Sequence, residues 1–426
     1  MKGIEALTDA LCRYTDRQYT IPGFPVTDLG QLTGAEMVIN EKTALEYALG
    51  DSLSGRRAAV IIKNVGVNAC ADPLLQAAAQ GIVAGVVLVA GDDPEAAGSQ
   101  TAQDSRYYGE LAELPVIEPD ETTCYAGVET ALRASEQFSR VAMLRLTPTI
   151  LDADVHADIA DIIPRQDQKG RLSPRTWTMN GRVTAAEELY RTMFDWSDRS
   201  TLNRWDGEPL GAGPALGGSR VITVHPLPAR AAHMREVREF GRTFVRDHRG
   251  LQPPVPQKRP QAMEDRGFYR TFCSNCPFKG MMDILKSRDM KMICDAGCSV
   301  LGMTPPYELG IASYGMGASI AVAARCTGVA LIGDYAILHS GLNALIDVYE
   351  KELPLLCIVM KNNCTAMTGK QSTYKIHPYL AWADPVICDA GDVTTLEKEL
   401  VVRDRPRTLI VEGTCPEGCS HETVEC

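Results

Sequence analysis

The stretch Gly328-Val-Ala-Leu-Ile-Gly-Asp334 decides the fold of this chain, because it has the composition of a buried strand that ends in an acid. A helical stretch follows over 336–350, and a second apolar run, 354–360, leads to Asn362 and Asn363. The pattern predicts a βαβ unit whose two strands are parallel and end at the same edge of a sheet. Small ligands bind at that edge in open α/β sheets. A carboxylate and a carboxamide there suit Mg²⁺, which prefers oxygen ligands and often bridges to a diphosphate.

The spacing of this unit is informative as well. Between Tyr335 and Asn362 lie 26 residues, so the stretch resembles the thiamine diphosphate signature GD-x(~26)-NN. An ordinary strand-helix-strand with turn residues at its corners is the alternative explanation.

Composition restricts the class of protein. The 426 residues allow two or three domains, and 45% hydrophobic with 23% charged residues is typical of globular proteins. The net charge of −11 argues against a nucleic-acid partner. The N-terminus lacks the apolar core of a signal peptide, and the apolar stretch 81–90 is too short to cross a bilayer. We therefore expect a cytoplasmic protein with no membrane partner.

Residues 36–150 alternate between helical and strand patterns, which predicts a doubly wound parallel α/β domain. The predicted helices are 41–53 and 71–80, and the predicted strands are 58–62, 82–90 and 141–146. Residues 151–265 are rich in Pro, Gly, Arg and Asp and predict a partly structured connector, with a strand at 221–224 and a helix near 231–244. The α/β pattern then returns, with helices at 281–287 and after the glycine-rich turn in 309–325, and a last strand at 408–411.

Short specific stretches are distributed over both α/β regions. They are 39–42 (INEK), 63–68 (KNVGVN), 71–73 (Ala71-Asp-Pro73), 99–108 (SQTAQDSRYY), 145–147 (RLT), 273–277 (CSNCP), 297–302 (GCSVLG), 315–319 (GMGAS), 333–334 (GD), 339–341 (HSG) and 365–369 (TAMTG). In this order they resemble the large (alpha) subunit of indolepyruvate ferredoxin oxidoreductase, in the 2-oxoacid:ferredoxin oxidoreductase superfamily. The resemblance implies a pyrimidine-binding domain (1–150), a connector (151–265) and a diphosphate-binding domain (266–426).

The chain departs from this family at two points. The family continues into a ferredoxin-like segment with two Cys-rich motifs, whereas this chain ends at Cys426, which leaves the electron-transfer route open. The family's Cys-Pro-His-Arg is Cys276-Pro-Phe-Lys279 here, which leaves open any role of that histidine.

Glu41 is the first catalytic candidate. Thiamine diphosphate reacts through a C2 carbanion, whose formation needs a carboxylate on the pyrimidine N1′, and a buried carboxylate with a raised pKa suits that exchange. The resemblance gives this role to the Glu of the Asn-Glu-Lys stretch. The alternative is an ordinary acid in the first turn of a helix, where it interacts favourably with the helix dipole.

The resemblance also supplies the expected magnesium ligands. They are the side chains of Asp334 and Asn362 and the backbone carbonyl of Cys364. When the chain is aligned with the family on the stretch 365–369, the metal-binding amide falls at Asn362 rather than Asn363, although either amide is chemically acceptable. The amide that is not selected would be a turn residue.

Further site residues follow from the same resemblance. Thr27 matches a threonine in a loop of the family, and the hydroxyl of that threonine reaches the substrate. Arg106 matches an arginine that binds the 2-oxoacid carboxylate in bidentate fashion. A surface turn and a surface ion pair are the respective alternatives. His339 and Ser340 lie near the start of the helix after Asp334 and could face the diphosphate, although His339 could equally be structural. The remaining expected cofactor-binding residues are Gly315, Met316, Gly333 and Thr368.

Cys273 and Cys276 form a Cys-x₂-Cys pair, which fits an iron–sulfur cluster, zinc or a redox pair. In several superfamily members such a pair binds a 4Fe–4S cluster with a later Cys in a Gly-Cys-Ser context and another near the domain end. Cys298 and Cys415 match those two positions. The four thiolates could instead bind zinc or stay reduced, and Cys294 and Cys419 are spare candidates.

Three functions are compatible with these residues. The leading one is oxidative decarboxylation of a 2-oxoacid such as indolepyruvate, with electrons passed through the cluster to ferredoxin and the acyl group to coenzyme A. A gamma-type partner subunit and a homodimer core are then expected. The second is a non-oxidative thiamine diphosphate-dependent decarboxylase. The third is a catalytically silent cofactor-binding subunit.

Overall fold

The computed structural model describes residues 1–155, 192–193, 196, 268–416 and 421–425. The chain divides into two compact units: the first unit is Met1–Ser173 with Val183–Ala262, and the second unit is Pro174–Arg182 with Met263–Cys426. The connector strand at 221–224, the connector helix at 231–244 and Cys419 lie outside the described residues.

The first unit contains a 6-stranded sheet in the order β2-β1-β3-β4-β6-β5, and every neighbouring pair is parallel. Its strands are β1 (Arg17–Thr20), β2 (Glu36–Met37), β3 (Ala58–Lys63), β4 (Val86–Gly91), β5 (Val116–Ile117) and β6 (Ala142–Leu146). Strands β4 and β6 are buried at every position, as expected of parallel strands covered on both faces.

Helices cover both faces of this sheet. They are α1 (Gly3–Tyr14), α2 (Thr27–Leu32), α3 (Glu41–Leu53), α4 (Asn64–Val67), α5 (Ala71–Gln80), α6 (Tyr107–Leu111), α7 (Cys124–Phe138) and α8 (Pro148–Asp152), with a 3₁₀ turn at Asn68–Cys70. Helices α1 and α7 share a core with Ala59 and Ile61 of β3. Successive strand residues point to opposite faces, so Val60 and Ile62 face the other side, and α3 contacts β3 there.

The second unit repeats this architecture. Its 6-stranded parallel sheet has the order β12-β13-β11-β10-β8-β9. The strands are β8 (Met292–Cys294), β9 (Gly310–Ala312), β10 (Val329–Gly333), β11 (Leu356–Lys361), β12 (Val386–Asp389) and β13 (Arg407–Glu412). The helices are α9 (Lys279–Ser287), α10 (Ser319–Ala324), α11 (Asp334–Ala336), α12 (Leu342–Glu350), α13 (His377–Leu380) and α14 (Val393–Glu399), with 3₁₀ turns at Cys298–Met303 and Ala381–Ala383.

A small antiparallel sheet ties two distant segments of the second unit together. Strand β7 (Phe268–Thr271) pairs with β14 (Glu422–Glu425), and Thr271 lies opposite Glu422. Because β7 directly precedes the Cys-x₂-Cys pair, this pairing holds the segment around His421 close to those cysteines.

The predicted pair of parallel α/β sheets is confirmed, and the predicted helices 41–53 and 71–80 have the observed bounds. Two details differ. The strand predicted at 82–90 starts only at Val86, because Gly81 ends α5 with a φ of 88° and the next residues form a loop. The helix predicted over 336–350 is interrupted by a π-helical turn at Ile337–Gly341. Such turns are frequent at functional sites.

The described helices were also compared with the requirements of a membrane span. None of them combines the length and the apolar composition that crossing a bilayer requires.

Candidate active site

The GD…NN residues meet at the carboxyl edge of the second sheet. Strands β10 and β11 are paired so that Gly333 lies opposite Met360, and Asp334 and Asn362 follow directly. Asp334 is only 3% exposed. Its Oδ2 accepts hydrogen bonds from the backbone N–H of Asn363 (2.8 Å) and the hydroxyl of Thr373 (3.0 Å). Burial raises the pKa of this carboxyl, the neutral donors lower it, and Lys361 adds only a longer-range attraction.

The two adjacent asparagines have different environments. The Oδ1 of Asn362 accepts from the backbone N–H of Cys364 at 3.3 Å, and its Nδ2 donates to the Sγ of Cys415 at 3.2 Å. Asn363 has a left-handed φ of 59° and uses its backbone to hold Asp334. Asn363 therefore has the turn conformation expected of the amide that is not selected, whereas the side chain of Asn362 lines a cavity.

This cavity has a volume of about 430 Å³ and lies within the second unit. Of the expected cofactor and magnesium residues it is lined by Met316, Gly333, Asp334, Asn362, Cys364 and Thr368. A Cβ added at Gly333 would meet no atom within 4 Å, so the backbone there leaves open space next to Asp334. Gly315, His339 and Ser340 are not among the lining residues.

The residues outside the lining support it from behind. The Oγ of Ser340 donates to the carbonyl of Met316, and the Nδ1 of His339 lies 3.1 Å from that hydroxyl. A Cβ at Gly317, which has a φ of 82°, would lie 2.5 Å from the backbone nitrogen of Gly341. The glycine-rich turn and the π-helical turn thus pack backbone against backbone, and only glycine fits at that position.

Asp295 fixes the same turn and was missed by the sequence analysis. It follows β8 directly, and its carboxylate accepts from the backbone N–H groups of Gly317 (2.9 Å) and Ser319 (3.2 Å). Burial raises its pKa, and the N–H donors oppose that effect. An acid at the end of a buried strand is the signal that could have found it, since the same signal identified Asp334.

Four cysteines from three separate parts of the sequence line this cavity. They are the expected cluster residues Cys273, Cys276, Cys298 and Cys415. Burial raises the pKa of the Cys276 thiol to about 11 and that of Cys298 to about 12, and the neighbouring thiols add to both shifts. A set of thiols that disfavour one another's ionisation is suited to a cation that would stabilise the thiolates.

The metal-binding capacity of this set lies in its donor chemistry rather than in ready-made geometry. Among the residues that the structure describes, no three His, Cys, Asp or Glu side chains are already arranged to hold a metal ion. The spare candidate Cys294 is buried in the core on β8, outside the lining. The lining does include His421, whose Nε2 lies 3.3 Å from the Sγ of Cys298. Sequence reasoning missed His421, since only the β7–β14 pairing brings it there.

In the first unit, Glu41 is the first residue of α3 and is half-buried. Asn40 caps the helix by accepting from the backbone N–H of Thr43 at 2.8 Å. The Glu41 side chain lies over Gly66, where an added Cβ would be 2.7 Å from its Oε1. Thr27 is the first residue of α2 and is also half-buried. Both positions are compatible with the predicted roles and with ordinary helix starts.

Arg106 lies inside the first unit rather than at its surface, with 2% exposure. Its guanidinium binds both carboxylate oxygens of Asp104, at 2.8 and 2.9 Å, and one of Glu118 at 3.5 Å. Arg145 binds Asp92 and Glu118 in the same cluster. Arg106 is therefore already engaged by two carboxylates, and its role as the anchor of a substrate carboxylate stays a prediction.

Known proteins resemble this chain in sequence and in fold. A family model described as the thiamine pyrophosphate enzyme C-terminal TPP binding domain matches residues 281–392. The indolepyruvate oxidoreductase subunit IorA of Archaeoglobus fulgidus is 25% identical, covering 79% of this chain and 68% of the relative. The IorA of Methanothermobacter marburgensis is 24% identical, covering 83% and 73%.

Solved structures share the fold. An X-ray structure of a putative thiamin diphosphate-dependent enzyme from Mycobacterium smegmatis matches with a TM-score of 0.61 and 13% identity, covering 97% of this chain and 100% of that chain. The thiamine diphosphate-dependent 4-hydroxybenzoylformate decarboxylase of Rhodococcus jostii RHA1 matches with a TM-score of 0.58 and 13% identity, covering 98% and 100%. At such identities the likeness concerns the fold alone.

Proposed function

We propose a specific reaction for this chain, which is a thiamine diphosphate-dependent oxidoreductase similar to the IorA subunits of indolepyruvate oxidoreductase. The reaction is the oxidative decarboxylation of a 2-oxoacid of the indolepyruvate type. The 2-oxoacid loses CO₂, its acyl carbon gives up two electrons to ferredoxin, and the thiol of coenzyme A takes the acyl group and releases a proton. The observation that carries this proposal is the shared cavity of Asp334, Asn362 and the cysteines.

Magnesium and the diphosphate would be held at the carboxyl edge of the second sheet. The side-chain oxygens of Asp334 and Asn362 and the carbonyl of Cys364 are hard donors suited to Mg²⁺. Asp334 is a buried carboxylate held by neutral donors, which a divalent cation would stabilise. The open space at Gly333 allows a ligand to approach the backbone there. The residues present therefore fit the group.

When bound, thiamine diphosphate would supply a nucleophile for the keto carbon and an electron sink for the loss of CO₂. Glu41 would hold the proton at the aminopyrimidine nitrogen. Met316 and Thr368 would border the cofactor from the cavity wall, and the side chains of Ser340 and His339 would keep that wall in place. Gly315, with a φ of 107°, would allow the tight turn that precedes Met316. The hydroxyl of Thr27 would reach the substrate, and Arg106 would bind the carboxylate of the 2-oxoacid.

The four cysteine thiolates would hold a 4Fe–4S cluster that carries the electrons out one at a time. Four is the number of thiolates that such a cluster needs, and all four line one cavity. A gamma-type partner subunit and a second copy of this chain complete the proposed assembly. The proposed division into pyrimidine-binding, connector and diphosphate-binding regions keeps the bounds 1–150, 151–265 and 266–426.

Anaerobic purification tests the proposal. We expect about four iron and four sulfide per chain, and reduction of ferredoxin that requires indolepyruvate, coenzyme A and thiamine diphosphate, assayed with the partner subunit. Cys298→Ser should lose the iron, whereas the exposed Cys12→Ser should keep it. Release of CO₂ by iron-free protein, with an aldehyde as product, would instead assign a non-oxidative decarboxylase.

The role of Glu41 is tested separately. Glu41→Gln should abolish turnover without loss of the folded state, while Glu95→Gln, at an exposed position, should behave as wild type. Unchanged turnover in Glu41→Gln would rule out the proposed proton transfer.

A further inference from the structure

Sheet topology places Asn362 between the proposed magnesium site and the proposed cluster site, whose residues line the same cavity. Strands β11 and β13 are direct neighbours, with Lys361 opposite Glu412 at their carboxyl ends. Asn362 and Cys415 leave the sheet just beyond this pair, and the amide nitrogen of Asn362 lies 3.2 Å from the Sγ of Cys415. This contact joins a residue of the proposed magnesium site to a residue of the proposed cluster site.

The orientation of the Asn362 amide is set by its surroundings. The backbone N–H of Cys364 points at Oδ1, and a donor there identifies that atom as the oxygen. The nitrogen end must then face Cys415, where sulfur is an acceptor. One planar group therefore presents an oxygen for a cation at one end and an N–H for a thiolate at the other.

We propose that Asn362 is a positioning residue that couples occupation of the magnesium–diphosphate site to the electronic state of the Cys415 thiolate. A cation on Oδ1 withdraws electron density from the amide and makes its N–H a stronger donor. Hydrogen bonds to the sulfur ligands are among the factors that set the reduction potential of an iron–sulfur cluster. Cofactor binding then raises the potential of the cluster, so that the electron acceptor improves when the electron source is in place. This inference rests on the proposed function.

The matched variants are Asn362→Asp and Asn363→Asp. The first keeps a carboxylate oxygen for Mg²⁺ but removes the N–H donor to Cys415. The second adds the same charge one residue away and leaves the Asn362–Cys415 contact intact. Melting temperatures of both variants check that they fold.

The first measurement needs no iron. Affinities for Mg²⁺–thiamine diphosphate are measured by calorimetry on metal-stripped protein for wild type, Asn362→Asp, Cys415→Ala and the double variant. Because the two side chains touch, we expect the change in dissociation constant of the double variant to differ from the product of the two single changes by about threefold or more. Multiplicative effects would overturn the coupling, whether or not the protein binds iron.

The second measurement uses iron-loaded protein and a redox titration followed by electron paramagnetic resonance. Wild type and Asn363→Asp should show a potential that rises when Mg²⁺–thiamine diphosphate is added. In Asn362→Asp the starting potential should be lower than in Asn363→Asp, and the rise on cofactor binding should be smaller. Equal starting potentials and equal rises in the two variants would refute the proposal.

The outcomes separate this inference from the function on which it rests. Wild-type protein without iron and sulfide contradicts the proposed electron route, and the calorimetric cycle still decides whether Asn362 couples to Cys415. If the wild type binds iron and the two variants have identical cluster potentials, the proposed function stands and the role of Asn362 is removed.

Discussion

Gly91-Asp92 in the first unit and Gly333-Asp334 in the second occupy equivalent places, because each pair marks the end of a buried parallel strand. Both aspartates are buried, and burial raises the pKa of both. Their partners differ. Asp92 binds the guanidinium of Arg145 at 2.5 Å, whereas Asp334 is held by a backbone N–H and a hydroxyl. Asp92 is therefore neutralised directly by an arginine, whereas Lys361 exerts only a longer-range attraction on Asp334.

The glycines of the two pairs show the same contrast. A Cβ added at Gly91 would lie 2.7 Å from the Cγ1 of Val26, whereas a Cβ at Gly333 would meet nothing within 4 Å. The first strand end is packed and internally neutralised. The second opens into a cavity, and its carboxylate would gain from a cation.

The largest expected effect comes from replacing Arg145, whose guanidinium neutralises Asp92 at the end of β4. Arg145→Met leaves Asp92 and Glu118 buried without their shared guanidinium, and we expect a loss of about 3–5 kcal/mol in the free energy of unfolding. Arg13→Met, which removes an exposed pair with Asp9, should cost much less than Arg145→Met, because solvent screens that pair. Denaturant unfolding measures both. Equal losses would show that the buried cluster is not a special source of stability.

Exchanging the two carboxylates for amides tests the comparison directly. Asp334→Asn should weaken Mg²⁺-dependent binding of thiamine diphosphate by about 10- to 100-fold, because the proposed metal ligand loses its charge. Asp92→Asn should chiefly lower stability, since it removes one of the carboxylates paired with Arg145. Calorimetric titration and thermal melting, applied to both variants, give the two readouts. The contrast between the two strand ends is wrong if Asp92→Asn lowers the affinity for thiamine diphosphate as much as Asp334→Asn does.

The ion cluster of the first unit also predicts a pH dependence. Burial alone would raise the pKa of Asp104, but Arg106 and Arg145 lower it to about 2 from an ordinary value of 3.8. The folded state therefore binds this proton less readily than the unfolded state does. The stabilisation is complete above about pH 4 and is lost as the pH falls towards 2.

The measurement is the difference in unfolding free energy between wild type and Asp104→Asn. It should shrink by about 2 kcal/mol between pH 6 and pH 2. A difference that does not change with pH would mean that Asp104 has its ordinary pKa in the folded protein.

The smallest expected effect comes from the glycines. Gly91→Ala should cost about 1 kcal/mol, because the methyl group forces Val26 to shift. Gly333→Ala has free space and an ordinary φ of −86°, so its stability should stay within about 0.5 kcal/mol of wild type. Its affinity for thiamine diphosphate should nevertheless fall, because the methyl group enters the cavity. Unchanged affinity in Gly333→Ala would place the diphosphate away from this strand end.

Much of the fold follows from local sequence patterns. Helices at 41–53 and 71–80 and the strand pair around Asp334 and Asn362 were predicted, because burial of one face imposes a periodicity that the chain displays directly. The short strand β2 and the pairing of β7 with β14 were not predicted. Strands of two to four residues carry little periodicity, and their pairing depends on distant segments.

The sequence by itself determined the alternation of strands and helices in both α/β regions, the acid and the amide that follow β10 and β11, and the number of cysteines. Tertiary structure alone decided which of these groups meet and which are neutralised. Arg145 is 53 residues from Asp92 along the chain, and Cys415 is 53 residues from Asn362. Electrostatic and hydrogen-bond partners act over a few ångströms in space, so the residues next to Asp92 and Asp334 in the sequence do not show that an arginine pairs with the first and neutral donors hold the second.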